Sequence, residues 1–196
     1  MKNFKVTDKE TGKEYWISRA MAVTGIIRAV KIPRRTGEAP KIFYLVSKRG
    51  KNCPDHQGEW QCTCGYLDFD ETRVDAVLRE IKEELGLDLR EAIENNSLEN
   101  GRPKVFDLTE LAVIDDPTRD ARQNVTTRYL IDVNYDFIKP LLDNGTINNR
   151  TEERGGEPGE VEEIRLISCN DLDDYDWAFN HKELLEDLGY EADDDV

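Results

Sequence analysis

The segment GYLDFDETRVDAVLREIKEELGL, residues 65–87, decides how the rest of the chain is read. Val74, Val77, Leu78, Ile81 and Leu85 recur at the spacing of one buried helix face, and Gly86 stands where a helix C-terminus favours a residue that turns left-handed easily. At about 100° per residue, Glu80, Glu83 and Glu84 share one flank of that helix beside the apolar stripe, while Arg79 and Lys82 read as the opposite flank. Glu80 and Glu84 repel each other across one turn, and a divalent cation would reverse that repulsion. Oxygen donors select hard cations, so the fitting metals are Mg2+ or Mn2+. An ordinary solvated helix carries the same residue types, and the three glutamates alone do not separate the two readings.

Working outward, apolar β-rich runs at residues 20–30 and 41–47 predict two strands, parted by a loop that IPRRTGEAP marks with its prolines and glycine. A turn-rich stretch at 49–58 precedes the helical segment. Beyond it come a polar loop at 94–104, apolar runs at 105–114 and 125–133, a glycine-rich loop at 145–159 and a short run at 161–167. Residues 177–188 read as a closing amphipathic helix with Phe179, Leu184, Leu185 and Leu188 apolar. Several strands, one strong helix and more strands predict an α/β class, with residues 1–190 as one domain and 191–196 as an acidic tail.

The full pattern in the first segment is Gly65, five residues, Glu71, seven residues, Arg79-Glu80-Ile81, one residue, Glu83-Glu84, one residue, Gly86-Leu87. It resembles the Nudix box, GX5EX7REUXEEXGU with U aliphatic, at every specified position. The resemblance implies an α/β/α sandwich around a mixed sheet, and a hydrolase that cleaves a nucleoside diphosphate linked to a further group. It implies that Glu80, Glu83 and Glu84 bind the divalent cations, helped by the main-chain carbonyl of Cys64. Gly65 and Gly86 would shape the loop–helix turn, and Arg79 with Glu71 would pair to hold the loop against the helix. Metal on a diphosphate cancels oxygen charge and lowers the pKa of a bound water. The chain departs from the family before the box, with Trp60-Gln61-Cys62-Thr63-Cys64-Gly65 where relatives usually read W-x-L-P-G-G, and Asp70-Glu71 where they read G-E. Aspartate and cysteine admit positive φ less readily than glycine.

Three outer segments are similar to those of the ADP-ribose-type pyrophosphatases: DDPTRDARQNVTTRYLI, GEPGEVEEIRLI and Trp177-Ala178-Phe179-Asn180-His181. Arg119 and Arg122 are candidates to hold phosphate or ribose oxygens by forked hydrogen bonds, or else sit in a solvated turn. In such relatives a glutamate of the late acidic loop orients or deprotonates the attacking water, which makes Glu162 the first candidate here and Glu160 the second. His181 reads as structural. Tyr66 or Trp60 suits either base stacking or a buried strand position. The expected activity is hydrolysis of ADP-ribose or a related nucleotide sugar to a nucleoside monophosphate and a sugar phosphate. The alternatives are hydrolysis of nucleoside triphosphates or dinucleoside polyphosphates, and a noncatalytic ligand-sensing module. ADP-ribose-type relatives often pair, so a homodimer is an open possibility.

Composition narrows the partners. The 196 residues carry 42 acidic and 27 basic side chains, a net charge of −15, which argues against general affinity for nucleic acid. The excess lies late: residues 152–196 hold 17 acidic and 3 basic residues, a net of −14, whereas residues 28–51 hold eight basic residues against Glu38 alone. No run approaches the roughly 20 apolar residues of a membrane span, and the N-terminus does not resemble a signal peptide, so the expected location is cytoplasmic. Four cysteines are too few for a disulfide scaffold at this length. Cys53, His56, Cys62 and Cys64 fit no familiar zinc spacing.

Overall fold

The computed structural model describes residues 4–33, 35, 37–118 and 124–190. In chain order the strands are β1 (Phe4–Thr7), β2 (Glu14–Ile17), β3 (Met21–Lys31), β4 (Lys41–Arg49), β5 (Trp60–Gln61), β6 (Thr63–Tyr66), β7 (Leu98–Glu99), β8 (Arg102–Pro103), β9 (Val105–Ile114), β10 (Val125–Asn134) and β11 (Val161–Ser168). The helices are α1 (Arg73–Leu85), α2 (Arg90–Glu94), α3 (Tyr135–Asp143) and α4 (His181–Tyr190).

The main sheet has seven strands: β11-β4-β3-β10-β9 in order, with β5 added on β4 and β6 on β3. It is mixed, because β3 and β10 run parallel over Val125↔Met21 to Asn134↔Val30 while the other neighbours are antiparallel. Its central strands are apolar on both faces, as a sheet covered on both sides requires. In β3, Val23, Ile27 and Ala29 point to one core and Ile26 to the other; in β4, Leu45 opposes Tyr44 and Val46; in β10, Tyr129, Ile131 and Val133 oppose Leu130. The first core packs α1 and α3, the second packs α4, and the result is the expected α/β/α sandwich.

α1 forms as its periodicity predicts. Thr72 accepts from the Asp75 amide while Asp75 accepts from the Thr72 amide, a reciprocal cap. Gly86 closes the helix at φ 73, its amide bonded to the Lys82 carbonyl. Val74 departs from the predicted stripe: it is exposed, and the buried face is Ala76, Val77, Leu78, Ile81, Glu84 and Leu85. The closing helix also begins later than predicted, at His181, because Trp177 pairs with Trp60 and Phe179 takes φ 58. α3 is unanticipated; the Asn134 side chain caps it through the Asp136 amide, and its internal Pro140 reads locally as a breaker. Among the described residues no helix is long and apolar enough to cross a membrane.

Candidate active site

β6 delivers the chain to the turn before α1, and there the polar groups of the first segment meet. Arg79 organises them. Its guanidinium donates twice to Glu71, at 3.0 and 2.8 Å, once to the Tyr66 carbonyl at 2.9 Å, and to Glu80 and Glu83 at 2.8 and 3.0 Å. The flank assigned to Arg79 is thereby corrected: residues four apart are neighbours on a helix, so its side chain reaches the acidic flank directly. Lys82 does point elsewhere, to Asp88 at 2.8 Å. Glu71 also accepts from the Asp68 amide at 2.7 Å, and this bond with the Arg79 pair holds the turn onto the helix. Asp70 supplies the left-handed backbone of this turn at φ 64, where relatives usually place glycine.

Glu84 is the anomaly. It is only 1% exposed, yet its nearest polar partners are the Cys64 amide at 3.3 Å and the Ser47 hydroxyl at 3.4 Å. Burial, then Glu160 and Glu80 nearby, push its carboxyl well above the usual range. Burial likewise raises Glu80 to about 7 and raises Glu160. Gly65 leaves room for Glu80: a Cβ there would stand 2.0 Å from the Glu80 carboxylate oxygen, and that carboxylate would have to swing away.

Of these carboxylates Glu160 lines a cavity of about 640 Å3, within the range of small-ligand sites, and Glu84 reaches its wall through the Cys64 amide. Cys64, Gly65, Tyr66, Arg49, Glu160, Arg128 and Phe179 line it. Glu160 sits just before β11, where its carbonyl accepts from the Gly50 amide at 2.7 Å and from the Cys53 thiol at 3.2 Å. Glu162, the first candidate for water activation, lies outside this lining, with its carboxylate on Lys48 at 3.0 Å and 54% of its side chain exposed.

The family model for the NUDIX domain matches residues 26–188. The chain belongs to the Nudix family. Among solved structures it is similar to the NUDIX domain of Shewanella oneidensis NrtR complexed with ADP ribose (17% identity, 89% of each chain, TM-score 0.57). It is also similar to a mutT/nudix family protein from Listeria innocua (19% identity, 88% of this chain and 92% of that one, TM-score 0.56). A bifunctional NMN adenylyltransferase/ADP ribose pyrophosphatase from Francisella tularensis, complexed with AMP and a Mn ion, shares the fold at 16% identity and TM-score 0.56; 89% of this chain matches 42% of that one. No curated protein matches in sequence.

In this Nudix chain the donors fit a hard divalent cation. All are oxygens, Glu84 is a buried carboxylate that accepts from the Cys64 amide and makes no ion pair among the described residues, and Gly65 keeps clear the space that the Glu80 carboxylate occupies. Among the described residues no three side chains already stand in a metal-holding cluster, because Glu80 and Glu83 are turned onto Arg79 and Glu84 onto the Cys64 amide. Arg119 and Arg122 lie outside the described residues. Cys62 is buried in the second core, and the Cys53 thiol is bonded to the Glu160 carbonyl, so neither faces a common metal position with His56. Trp60 is buried against Tyr175, while Tyr66 is exposed at the cavity wall.

Two features escape a reading of the sequence. Arg49, counted there as one of a basic run, is 6% exposed, tied to Asp55 by two bonds and to the Gln61 side chain. His181 is 5% exposed, and its Nδ1 accepts from the Cys62 amide at 3.1 Å. Burial first, then Arg128, Arg49 and His56, lower its pKa to about 3. An unfolded histidine titrates near 6.5, so between pH 6.5 and 3 the unfolded chain takes up a proton that the folded one refuses. His181 therefore costs stability on acidification, about 2 kcal/mol by pH 5. The expected result is that the stability difference between wild type and His181→Gln, from urea unfolding, shifts by that amount in favour of the variant between pH 7 and pH 5. A pH-independent difference would show that His181 titrates in the folded state as well.

Proposed function

We propose that this chain is a divalent-metal-dependent hydrolase of the diphosphate linkage in a nucleoside diphosphate bound to a further group, with ADP-ribose or a related nucleotide sugar as substrate. The observation that carries this reading is the buried, poorly compensated Glu84, bonded to the Cys64 amide behind the wall of a nucleotide-sized cavity, with Glu80 packed behind Gly65 of the same wall. Glu80, Glu83 and Glu84 would hold Mg2+ or Mn2+ with the Cys64 carbonyl. The metal, when bound, supplies positive charge to the diphosphate oxygens and lowers the pKa of water.

The chain's own groups do the rest. Arg79 and Glu71 fix the turn so that Gly65 and Glu80 keep their close approach. Ser47 and the Cys64 amide orient Glu84. Glu160, half-buried in the cavity wall with a raised pKa, accepts the proton of the attacking water as the new P–O bond forms and the bridging P–O bond breaks. Glu160 is preferred to Glu162 for this role because Glu162 points to Lys48. The products are a nucleoside monophosphate and a sugar phosphate.

Incubation with ADP-ribose and Mg2+ or Mn2+, read by product mass, is expected to give AMP and ribose 5-phosphate, and EDTA is expected to abolish both. Turnover unaffected by the chelator would overturn the proposal, as would no turnover of any nucleoside diphosphate derivative with either metal.

A further inference from the structure

Two residues from separate loops meet at the cavity wall in a backbone conformation that neither favours. His56 has φ 53 and Phe179 has φ 58, and their rings lie 4.5 Å apart at 53°. Side chains other than glycine enter the left-handed region rarely, histidine less rarely than most, and a bulky ring such as that of Phe179 is strained there. For Phe179 the neighbours impose it. The Trp60 amide bonds the Asp176 carbonyl and the Ala178 amide bonds the Trp60 carbonyl, both at 2.8 Å; Ala178 is fully buried, and His181 is held by the Cys62 amide. With the chain pinned on both sides, Phe179 is turned away from the core. It remains 39% exposed while lining the cavity. The Arg49 guanidinium stands 5.3 Å from its ring centre, and His56 is tied by Nδ1 to Glu59 at 2.7 Å.

We infer that Phe179, supported by His56, is the platform on which the nucleobase of the substrate stacks. The inference rests on the nucleotide reading above and extends it to a part of the ligand that the diphosphate chemistry does not use. A flat aromatic ring is the ligand group that an exposed aromatic face rewards most, whereas an anion beside it would be drawn to Arg49 and Arg128 instead. Asn180, next in sequence and also in the lining, is oriented by Arg128 at 3.0 Å and brings an amide to the edge of the platform. The same cavity is lined by Gly65 and Glu160, so a molecule in it extends from the platform to the wall that carries the start of the box.

Calorimetric titration of AMP and of ribose 5-phosphate into the metal-free protein tests this without turnover. Phe179→Ala and Phe179→Leu are expected to weaken AMP about tenfold and leave ribose 5-phosphate unchanged, while Phe179→Trp keeps AMP within about threefold. Equal weakening of both ligands, an unchanged AMP affinity, or a wild type that binds AMP no better than ribose 5-phosphate would overturn it. Phe179-dependent AMP binding by a wild type that hydrolyses no diphosphate would defeat the hydrolase reading alone. Hydrolysis by a wild type with Phe179-independent AMP binding would defeat the platform alone.

Discussion

Glu84→Gln is expected to lower metal-dependent turnover about a thousandfold while making the metal-free protein more stable. The two effects have one cause. Glu84 is 1% exposed and among the described residues has only an amide and a hydroxyl, at long hydrogen-bond distances, so in the metal-free protein its charge is desolvated with little return. Glutamine keeps an oxygen for the Cys64 amide, removes the charge, and is expected to add about 1–3 kcal/mol in urea unfolding with EDTA present. Adding Mg2+ should then stabilise wild type and leave the variant unmoved, since binding to the folded state alone raises stability. A variant that turns over normally, or one that is destabilised without metal, would remove Glu84 from the proposed metal site.

Gly50→Ala is expected to cost about 1–3 kcal/mol, the range for forcing an atom into filled space. A Cβ at Gly50 would stand 2.0 Å from the Gly159 carbonyl oxygen and 3.1 Å from the Glu160 carbonyl carbon, so a main chain has to move. Gly50 also donates its amide to the Glu160 carbonyl. Turnover should fall with stability, by about 100-fold if Glu160 is the proton acceptor. Glu160→Gln should reproduce the loss of turnover with no comparable loss of stability. Thermal melts and initial rates on the two variants separate the packing effect from the chemical one.

The core strands and α1 were legible because their signals are local. Apolar runs announced the strands buried on both faces, and a 3.6-residue period with a glycine stop announced the helix. The carboxylate set was legible through the same helix. Which of Glu160 and Glu162 lines the cavity was not, because the register between β11 and β4 slips at Val161/Glu163 and the alternation of EVEE cannot be followed across that bulge. α3 was hidden by Pro140, whose lost hydrogen bond is outweighed by burying Ile138. Phe179 reads as one more apolar position of an amphipathic helix; only the pairing of Trp177 with Trp60 shows that the helix has not yet begun.

Arg154 carries a consequence of its own. It is one of three basic residues in the acidic last quarter, yet the carbonyl of Glu83, at 3.1 Å, and the side chain and carbonyl of Asn148, each at 2.9 Å, receive its hydrogen bonds. Asn148 in turn donates its amide to the Leu85 carbonyl. The open end of α1 is thus stitched to the loop that leads to Glu160 by bonds that need no ionised carboxylate. Opening that loop exposes the last turn of α1, so the two segments are expected to exchange their amides as a single cooperative unit.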